Sequence, residues 1–517
     1  MKRILSLLFC GLLLFSACVT AHAAETEPPF EAVICNDDSG LAVTGAVPEQ
    51  SDEGATAVPK IEIDTVDGNG AILQKEDGYV NAQISITDTD GSALSGAVQF
   101  KVRGNSTAIA SIPKKGFTFK FAKKTDVLGM GKGKKWALLA NCFDPTLMRN
   151  YLMFDLAEKL GLPYVSRQKF VELWLDGSYR GCYTVYEPVQ AGGDRVDIDT
   201  DGNKDFLLEY EATRSEADIV YINISGVRFA VSEPDPPDSD QTAYITGVMT
   251  DIVTTLRYGT QEQIRERLDI DSFAKYYLLN EYAKTLDFGM SSVFFFYKDG
   301  KLYAGPPWDY DLALGNANAD IQSTAAKEGA RSDGIMQTTK NLYRWLCDKD
   351  WFIDEVKHVY AAHYDEIAAI SADGGTLDTL RNEYQALFNR NFGIWKVSRW
   401  WLNYQKVPLA TYEENYTFLK NWCGDRNEWL RTYYGLTPYT YIVGDTDGSG
   451  ETDNIDVTLI QRYLSNILPS LDDRAITRAL VTGEELDVID ATMIQRYLAQ
   501  ISTPYPIGEQ KTIMVYH

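Results

Sequence analysis

The sequence predicts an α+β protein that ends in a small all-α unit. From Lys60 to about residue 190, apolar and polar residues alternate, which is typical of half-buried strands of an antiparallel sheet. From Thr242 to about residue 435, the helical period dominates, apart from one aromatic hairpin. After residue 440, a loop–helix pattern occurs twice. The predicted organisation is a signal peptide (1–24), a flexible linker (25–58), the main domain (59–440), the C-terminal unit (441–505) and a tail (506–517).

The N-terminus has the pattern of an export signal. Met1-Lys-Arg precedes the apolar run Ile4–Phe15, and the small residues Ala21-His-Ala-Ala24 follow it. We therefore expect a secreted, extracellular protein, associated with a cell surface or complex. The run Phe15-Ser-Ala-Cys18 also resembles a lipoprotein box, so lipid anchoring at Cys18 is the alternative. No later apolar run reaches the roughly 18 residues that a transmembrane helix needs.

Composition excludes several classes of protein. The net charge of −24 argues against a nucleic-acid-binding protein and against attraction to anionic membranes. There are four histidines in the chain, and their positions argue against a Ser-His-Asp hydrolase or a histidine-rich metal site. Carboxylates are therefore the better candidates for chemistry.

Three aspartates flank a predicted hairpin in the second half of the chain. Asp287 precedes the aromatic strand 293–297, and Asp309 and Asp311 follow the short strand 302–304. A hairpin holds its two ends together, so we expect the three side chains to converge. Carboxylates buried beside so many aromatic rings need a compensating cation.

Several cationic residues in the strand-rich half are candidates for a phosphate site. A turn at Arg103-Gly-Asn-Ser is followed by a strand that carries Lys114 and Lys115, and this arrangement could cradle a polyphosphate. The alternative is a solvated turn with edge-strand lysines. Arg149 lies near the start of a predicted helix (147–160), where the helix dipole does not favour a cation, so it either holds an anion or lies at the surface. Glu187 ends a strand at a proline, as at a joint.

The C-terminal unit contains a calcium-binding pattern. Gly450 stands at the sharp-turn position of a twelve-residue loop, and Glu451 would offer its backbone carbonyl. Oxygen-bearing side chains occupy loop positions 1, 3, 5, 9 and 12, namely Asp445, Asp447, Ser449, Asp453 and Asp456. Hard oxygen ligands at this spacing predict one Ca²⁺ site.

The helix after this loop is repeated. Residues 455–464 recur almost unchanged as 489–498, whereas the second loop has Ala479, Val481 and Gly483 at positions that should carry side-chain ligands. We therefore expect a single full calcium site. Two loop–helix units in tandem resemble a type I dockerin. That resemblance implies binding to a cohesin on a scaffoldin, and hence assembly in a cellulosome.

The middle of the chain resembles the CotH family of atypical protein kinases. The similarity lies in short motifs that occur in the family's order: Arg103-Gly-Asn-Ser, Lys114-Lys115, Trp136-Ala-Leu-Leu-Ala-Asn, Leu147-Met-Arg-Asn150, Leu175-Asp-Gly-Ser-Tyr-Arg-Gly, Tyr186-Glu187 and Pro307-Trp-Asp-Tyr-Asp-Leu-Ala-Leu-Gly315. The resemblance implies a two-lobed protein-kinase-like fold, with a strand-rich N-lobe and a helical C-lobe. It also implies ATP with Mg²⁺ or Mn²⁺ and phosphorylation of serine or threonine in secreted proteins.

The resemblance also assigns roles to residues. It makes Asp287 the catalytic aspartate and Asp309 or Asp311 the metal ligand, and both of these can approach magnesium from one face of an extended segment. The cofactor-binding candidates are Arg103, Lys114, Lys115, Arg149 and Glu187. Ser292 stands where kinases place a metal-binding asparagine, five residues after the catalytic aspartate.

Two alternatives stay open at this point. The Ser292 departure and the scaffold context favour a kinase-fold module that binds or adheres without turning over. The second alternative is a carbohydrate-active enzyme acting on polysaccharide, with its acid pair drawn from Glu209, Glu211 and Asp287.

Overall fold

The computed structural model describes residues 32–34, 56–202, 204–397, 400–483 and 485–516. Its strands are β1 (Ala32–Ile34), β2 (Lys60–Thr65), β3 (Val80–Thr87), β4 (Ala93–Arg103), β5 (Gly116–Asp126), β6 (Lys132–Leu139), β7 (Gln168–Leu175), β8 (Ser178–Tyr186), β9 (Phe206–Tyr210), β10 (Tyr221–Ile224), β11 (Val227–Glu233), β12 (Val293–Lys298), β13 (Lys301–Ala304), β14 (Trp400–Leu402), β15 (Leu436–Ile442) and β16 (Gln510–Tyr516). Its helices are α1 (Arg149–Lys159), α2 (Ser239–Tyr258), α3 (Gln261–Arg267), α4 (Ile270–Ala283), α5 (Thr324–Ala330), α6 (Tyr343–Leu346), α7 (Asp350–Ala362), α8 (Tyr364–Ala368), α9 (Thr376–Ile394), α10 (Tyr412–Tyr433), α11 (Asn454–Leu464), α12 (Asp473–Ala479) and α13 (Val488–Leu498). The protein is thus a mixed α+β protein.

The strand-rich half is a closed barrel rather than the half-buried sheet that the alternation predicts. Seven strands follow one another around it in the order β2-β3-β4-β5-β6-β8-β7. A parallel pairing of β2 with β7, in which Ile61 lies opposite Leu173, closes the ring. The barrel interior is filled by side chains such as Phe100, Phe119 and Trp136, which are fully buried. Closure removes the exposed edges that an open sheet would present.

A second, five-stranded sheet lies among the helices in the order β10-β11-β9-β12-β13. Its last two strands are the predicted hairpin, with Phe295 opposite Ala304 and Lys298 opposite Lys301. The helix α4 is buried along most of its length and packs against α7 and β13. One apolar cluster joins this sheet, the surrounding helices and α1. The hairpin therefore packs against a buried apolar core, which fixes the residues at its two ends.

The C-terminal unit contains α11, α12 and α13. Helices α11 and α13 pack on each other through Ile460 and Ile494, which are both fully buried. In the segment predicted as a tail, β16 pairs antiparallel with β15, so that Leu436 lies opposite Tyr516. The two ends of the unit are thereby held side by side.

The predicted signal peptide, including Cys18, lies outside the described residues, as does most of the predicted linker. The short strand β1, which falls within that linker, pairs with β14. Among the described helices, none is both long and apolar enough to cross a bilayer.

Candidate functional site

The first aspartate of the site lies in a tight turn after α4. The helix ends at Lys284, which takes up a left-handed conformation with φ of 46°. A single 3-10 turn, Asp287–Gly289, follows. The backbone carbonyl of Asp287 accepts hydrogen bonds from the N–H groups of Met290 (2.8 Å) and Ser291 (2.9 Å). These bonds hold the turn in place and leave the Asp287 carboxylate free to point away from it.

The other two aspartates follow β13 on the far side of the hairpin. Tyr310, between them, is fully buried, and its N–H donates to Asn150 Oδ1 at 2.7 Å. Asp309 itself has a φ of 62°, which is rare for a residue with a side chain. This anchoring turns Asp309 and Asp311 towards Asp287, and one carboxylate oxygen from each of the three lies within 4.8 Å of the others. The hairpin thus brings the three aspartates together.

The electrostatics of the three carboxylates favour a cation between them. Burial raises the pKa of Asp287 well above its usual range, and the nearby Asp309 raises it further. Burial likewise raises the pKa of Asp311, and repulsion by Asp309 and Asp287 adds to the effect. Oxygen ligands at this separation suit a small hard cation such as Mg²⁺ or Mn²⁺. The residues present therefore fit the metal that the resemblance implies.

The three aspartates open into a cavity of about 720 Å³ between the barrel and the second sheet. The barrel contributes Arg103, the turn after it and Asn141 to the lining, and the other wall carries Glu209 and Arg214. The volume lies in the range of small-molecule sites, which is about 300–1,000 Å³. The cavity thus has room for a nucleotide next to the carboxylates.

Two arginines supply positive charge to this cavity. The guanidinium of Arg103 lies 5.5 Å from the ring centre of Tyr186 and 5.4 Å from that of Trp308. Arg214 forms an ion pair with Glu211 at 3.0 Å, and its Nη2 donates to Ser291 Oγ at 2.6 Å. Both arginines lower the raised pKa of Asp309. Arg103, which was predicted to bind the cofactor, thus lines the cavity. Arg214 also lines it and was not identified from the sequence.

The two predicted phosphate lysines lie elsewhere. Lys114 is buried, and its Nζ donates to the carbonyl of Cys182 (2.8 Å) and to Asn391 Oδ1 (2.9 Å). Lys115 is buried as well, and its ammonium group donates to the backbone carbonyls of Ala108 and Ile109. Neither lysine lines the cavity. Both ammonium groups are engaged by protein acceptors and tie the barrel to its neighbouring segments.

Arg149 and Glu187 are buried, and each forms an ion pair. Arg149 bonds Asp144 at 2.6 Å and donates through Nε to the carbonyl of Ala313, just beyond the aspartate segment. Glu187 accepts two bonds of 2.9 Å from the guanidinium of Arg167. Neither side chain lines the cavity, although each borders a segment that does. Arg149 thus anchors the chain that carries Asp309 and Asp311.

Position 292 brings another carboxylate into the site. Ser292 has a φ of 62°, and its N–H donates to Glu209 Oε1 at 3.1 Å. Glu209 comes from the middle of β9, opposite Phe294, and burial raises its pKa to about 7. From the sequence, Glu209 is a candidate only for the acid pair of a carbohydrate-active enzyme. An acidic residue within an apolar strand was the signal that could have identified it as a cavity residue.

Three of the predicted calcium ligands converge in the C-terminal unit. Carboxylate oxygens of Asp445, Asp447 and Asp456 lie within 4.8 Å of one another. Gly450 has a φ of 96°, as the sharp turn requires, and Ser449 Oγ bonds Asp445 Oδ1 at 3.3 Å. In contrast, the Asp453 carboxylate caps α11 by accepting from the N–H of Ile455. The donor set suits Ca²⁺, which takes six to eight oxygens.

The second loop closes through hydrogen bonds of its own. Asp490 accepts from the N–H groups of Val481 (2.8 Å), Thr482 (2.8 Å) and Asp487 (2.9 Å). Asp456 accepts in the same way from Asp447 and Asp453 in the first loop. The metal-ligand clusters in the described chain do not include the second loop.

The fold and this site define an α+β protein whose barrel and helical part enclose a carboxylate-lined cavity. A family model described as CotH kinase protein matches residues 100–430, which is more than half of the chain. The chain belongs to the CotH kinase family. The matched segment contains all three aspartates and ends before the loop that is predicted to bind calcium. No curated protein matched the chain.

Proposed function

We propose that the protein is a metal-dependent kinase that transfers the terminal phosphate of ATP to serine or threonine of secreted proteins. The observation that carries this proposal is the convergence of Asp287, Asp309 and Asp311 at one end of a nucleotide-sized cavity. Family membership supports it. On this proposal the barrel serves as the N-lobe of a kinase-like arrangement, and the second sheet with its helices serves as the C-lobe.

The chemistry that we assign to the site follows from the residues. Asp309 and Asp311 would hold Mg²⁺ or Mn²⁺, which when bound neutralises charge on the phosphates. Asp287 accepts the proton of the acceptor hydroxyl as the hydroxyl oxygen forms its bond to the terminal phosphorus. The bond from that phosphorus to the bridging oxygen breaks, and ADP leaves with the electron pair. Arg103 supplies positive charge at the cavity wall.

Nucleotide binding by the full chain tests this function. Calorimetry with ATP and Mn²⁺ should give a saturable signal for the wild type and a loss of at least about ten-fold in affinity for Asp309→Asn, because a charged metal ligand is removed. Asp287→Asn should still bind the nucleotide but transfer no phosphate to a serine-rich protein in a radiolabel assay. Absence of nucleotide binding at millimolar ATP would refute the proposal.

One observation favours a second candidate, a kinase-fold module that binds without turnover. Kinases use an asparagine at the position of Ser292, and a hydroxyl is a weaker magnesium ligand than an amide carbonyl. Nucleotide binding without phosphate transfer, with any divalent metal, would establish this candidate. A polysaccharide-degrading function has less support, because the Glu211 carboxylate is occupied by Arg214 and by the N–H of Thr213. A reducing-sugar assay on plant polysaccharides tests it.

We further propose that the C-terminal unit is a dockerin that binds one Ca²⁺ and docks onto a scaffoldin cohesin, placing the kinase in a cellulosome. The support is a pair of exposed apolar residues that recurs at equivalent positions of the two repeats. Ile455 and Ile489 are 56% and 49% exposed, and Ile467 and Ile501 are 65% and 50% exposed. A repeated apolar face of this kind suits a protein partner.

Binding of the full chain to an immobilised scaffoldin cohesin tests the dockerin proposal. Binding should require Ca²⁺, should be reversed by EDTA, and should be lost in the variant with Ile455→Ser and Ile489→Ser. Binding that ignores both EDTA and these substitutions would contradict it.

We also propose that the chain is exported by a signal peptide ending at Ala24, with lipid attachment at Cys18 as the alternative. Sequencing the N-terminus of the mature protein distinguishes the two, because the first predicts Glu25 as the new terminus and the second predicts a blocked Cys18.

A further inference from the structure

A row of lysines crosses the outer face of the barrel. Lys101 on β4, Lys120 on β5 and Lys135 on β6 form this row, which we call the basic strip. Lys120 lies directly opposite Lys135, and Lys101 lies opposite Thr118, two residues before Lys120. Since alternate residues of a strand share a face, the three side chains project from the same outer surface. Neighbours in these positions have Cβ atoms about 5 to 8 Å apart.

The basic strip is compensated in the described structure by an aromatic contact rather than by ion pairs, since Lys101 and Lys120 lie 4.6 Å and 5.9 Å from the ring centre of Tyr79. None of its three lysines takes part in an ion pair there, although acidic residues exceed basic ones in the whole chain, 73 to 49. All three lysines are half-buried. Burial lowers the pKa of Lys101, and the positive charges of Lys75, Arg103 and Lys120 lower it further. Like charges placed opposite each other on neighbouring strands destabilise a sheet, so a bound anion would relieve a real cost.

The strip leads into the candidate active site. Along β4, Arg103 follows Lys101 on the same face and lines the cavity. Lys75 also lines the cavity, and its Nζ donates to Asn105 Oδ1 at 2.6 Å. The acidic residues Glu216, on the Lys101 side, and Glu233 and Asp235, on the Lys135 side, bound the strip. A chain lying on the strip would therefore reach the cavity at Arg103.

We propose that the basic strip binds an acidic segment of the protein substrate, so that this kinase selects serine or threonine residues that have aspartate or glutamate nearby. The selection of serine or threonine residues rests on the proposed kinase function, whereas the binding of an acidic segment to the strip can be tested without it. Two or three carboxylates on a peptide match the three lysines in number and sign. A nucleic acid fits less well, since the net charge of −24 repels a polyanion.

The dimensions of the strip set the spacing in the substrate. Three neighbouring strands span about 10 Å, because strands lie about 4.8 Å apart. An extended peptide covers this distance in about three residues, at roughly 3.3 Å per residue. The acidic residues of the substrate should therefore lie within a segment of about three to four residues.

Peptide binding to the full chain, measured by fluorescence anisotropy without nucleotide, tests the proposal. The probe is a labelled peptide with a central serine flanked by aspartate and glutamate, and its partner peptide has asparagine and glutamine instead. We expect the wild type to prefer the acidic peptide by roughly ten-fold, which is what three exposed ion pairs supply. The variant with Lys101→Gln, Lys120→Gln and Lys135→Gln should lose this preference.

A matched variant controls for total charge. Lys123, Lys124 and Lys134 are exposed lysines of β5 and β6, and replacing them with glutamine removes the same charge elsewhere. This control should keep the preference, and the strip variant should keep its affinity for ATP and Mn²⁺, because no strip lysine lines the cavity. Equal binding of the two peptides by the wild type would overturn the inference, as would tighter binding of an oligonucleotide of equal charge. If the acidic peptide binds but no phosphate is transferred, the kinase function fails and the binding surface stands.

Discussion

At the scale of single residues, the site depends on backbone conformations that residues other than glycine rarely adopt. Ser292 and Asp309, at the two ends of the hairpin, both have a φ of 62°. A left-handed conformation of this kind costs about 1–3 kcal/mol at a residue other than glycine and is characteristic of functional sites. Here it turns Asp309 towards Asp287 and brings the Ser292 N–H to Glu209. The surrounding packing, rather than the local sequence, holds both residues in place.

The buried carboxyl group of Glu209 should make the free energy of unfolding depend on pH. Its pKa is raised to about 7 by burial, so in the absence of metal it is protonated at pH 5 and ionised at pH 8. A group whose pKa is raised on folding binds its proton more tightly in the folded state, so its contribution to stability falls as pH rises from about 4.5 towards 7. Glu209→Gln should therefore raise the free energy of unfolding by less than about 1 kcal/mol at pH 5 and by about 2–3 kcal/mol at pH 8.

Denaturant unfolding at the two pH values, in EDTA, measures this difference. The glutamine can still accept the Ser292 N–H bond, so the comparison isolates the charge. Glu216→Gln, at an exposed glutamate near the cavity mouth, is the control and should show no difference at either pH. An equal effect of Glu209→Gln at pH 5 and pH 8 would contradict the assigned pKa.

The residue scale also shows where sequence reasoning stops. The convergence of Asp287, Asp309 and Asp311 could be predicted, because a hairpin holds its two ends close together. No such constraint acts on Lys114, which lies before β5 at a point where the pattern does not indicate which way a side chain turns. It points to Cys182 and Asn391, more than 60 residues away in sequence. Contacts at that separation depend on the tertiary fold.

At the scale of elements, the sequence predicted the helices and hairpins whose formation depends on residues close to one another in the chain. The hairpin β12–β13 has its predicted turn, and the predicted helix 147–160 corresponds to α1, Arg149–Lys159. Barrel closure was not predicted, because it depends on the parallel pairing of Ile61 with Leu173 across more than a hundred residues. The helix α12 was also missed, since it lies within the duplicated region but outside the repeated ten residues.

The two loops of the C-terminal unit should differ in their binding of Ca²⁺. Calorimetry should show one Ca²⁺ per chain, because the first loop gathers three carboxylates, whereas the second loop has Ala479, Val481 and Gly483 at positions that should carry side-chain ligands. Asp456→Asn should weaken Ca²⁺ binding roughly ten- to hundred-fold, since a charged ligand is lost. The equivalent change in the second repeat, Asp490→Asn, should leave stoichiometry and affinity unchanged. Two bound ions in the wild type, one of them lost in Asp490→Asn, would contradict this asymmetry.

At the scale of the whole molecule, strand pairing and side-chain contacts hold the C-terminal unit against the main domain. The strand β16 pairs with β15 along its full length, and Val443 N–H donates to the carbonyl of Glu509 at 3.0 Å. Tyr516, at the end of β16, packs edge-on against His358 of α7 with ring centres 4.8 Å apart. Met514 and Tyr516 also pack against the large apolar cluster of the helical part. The C-terminal strand thus fixes the unit against the body of the protein.

Removing this strand should release the unit without unfolding either part. In a chain ending at Gly508, β15 loses its only paired strand among the described residues, while the calcium loop and the buried pair Ile460 and Ile494 remain intact. We expect limited proteolysis to cut between residues 436 and 445 at least about ten-fold faster, because cleavage follows local opening. Calcium affinity should change little. Tyr516→Phe, which removes the hydroxyl that bonds His358 but keeps the strand, should stay close to the wild type, since the strand pairing carries most of the attachment. Cleavage at the wild-type rate in the shortened chain would mean that β15 alone holds the unit in place.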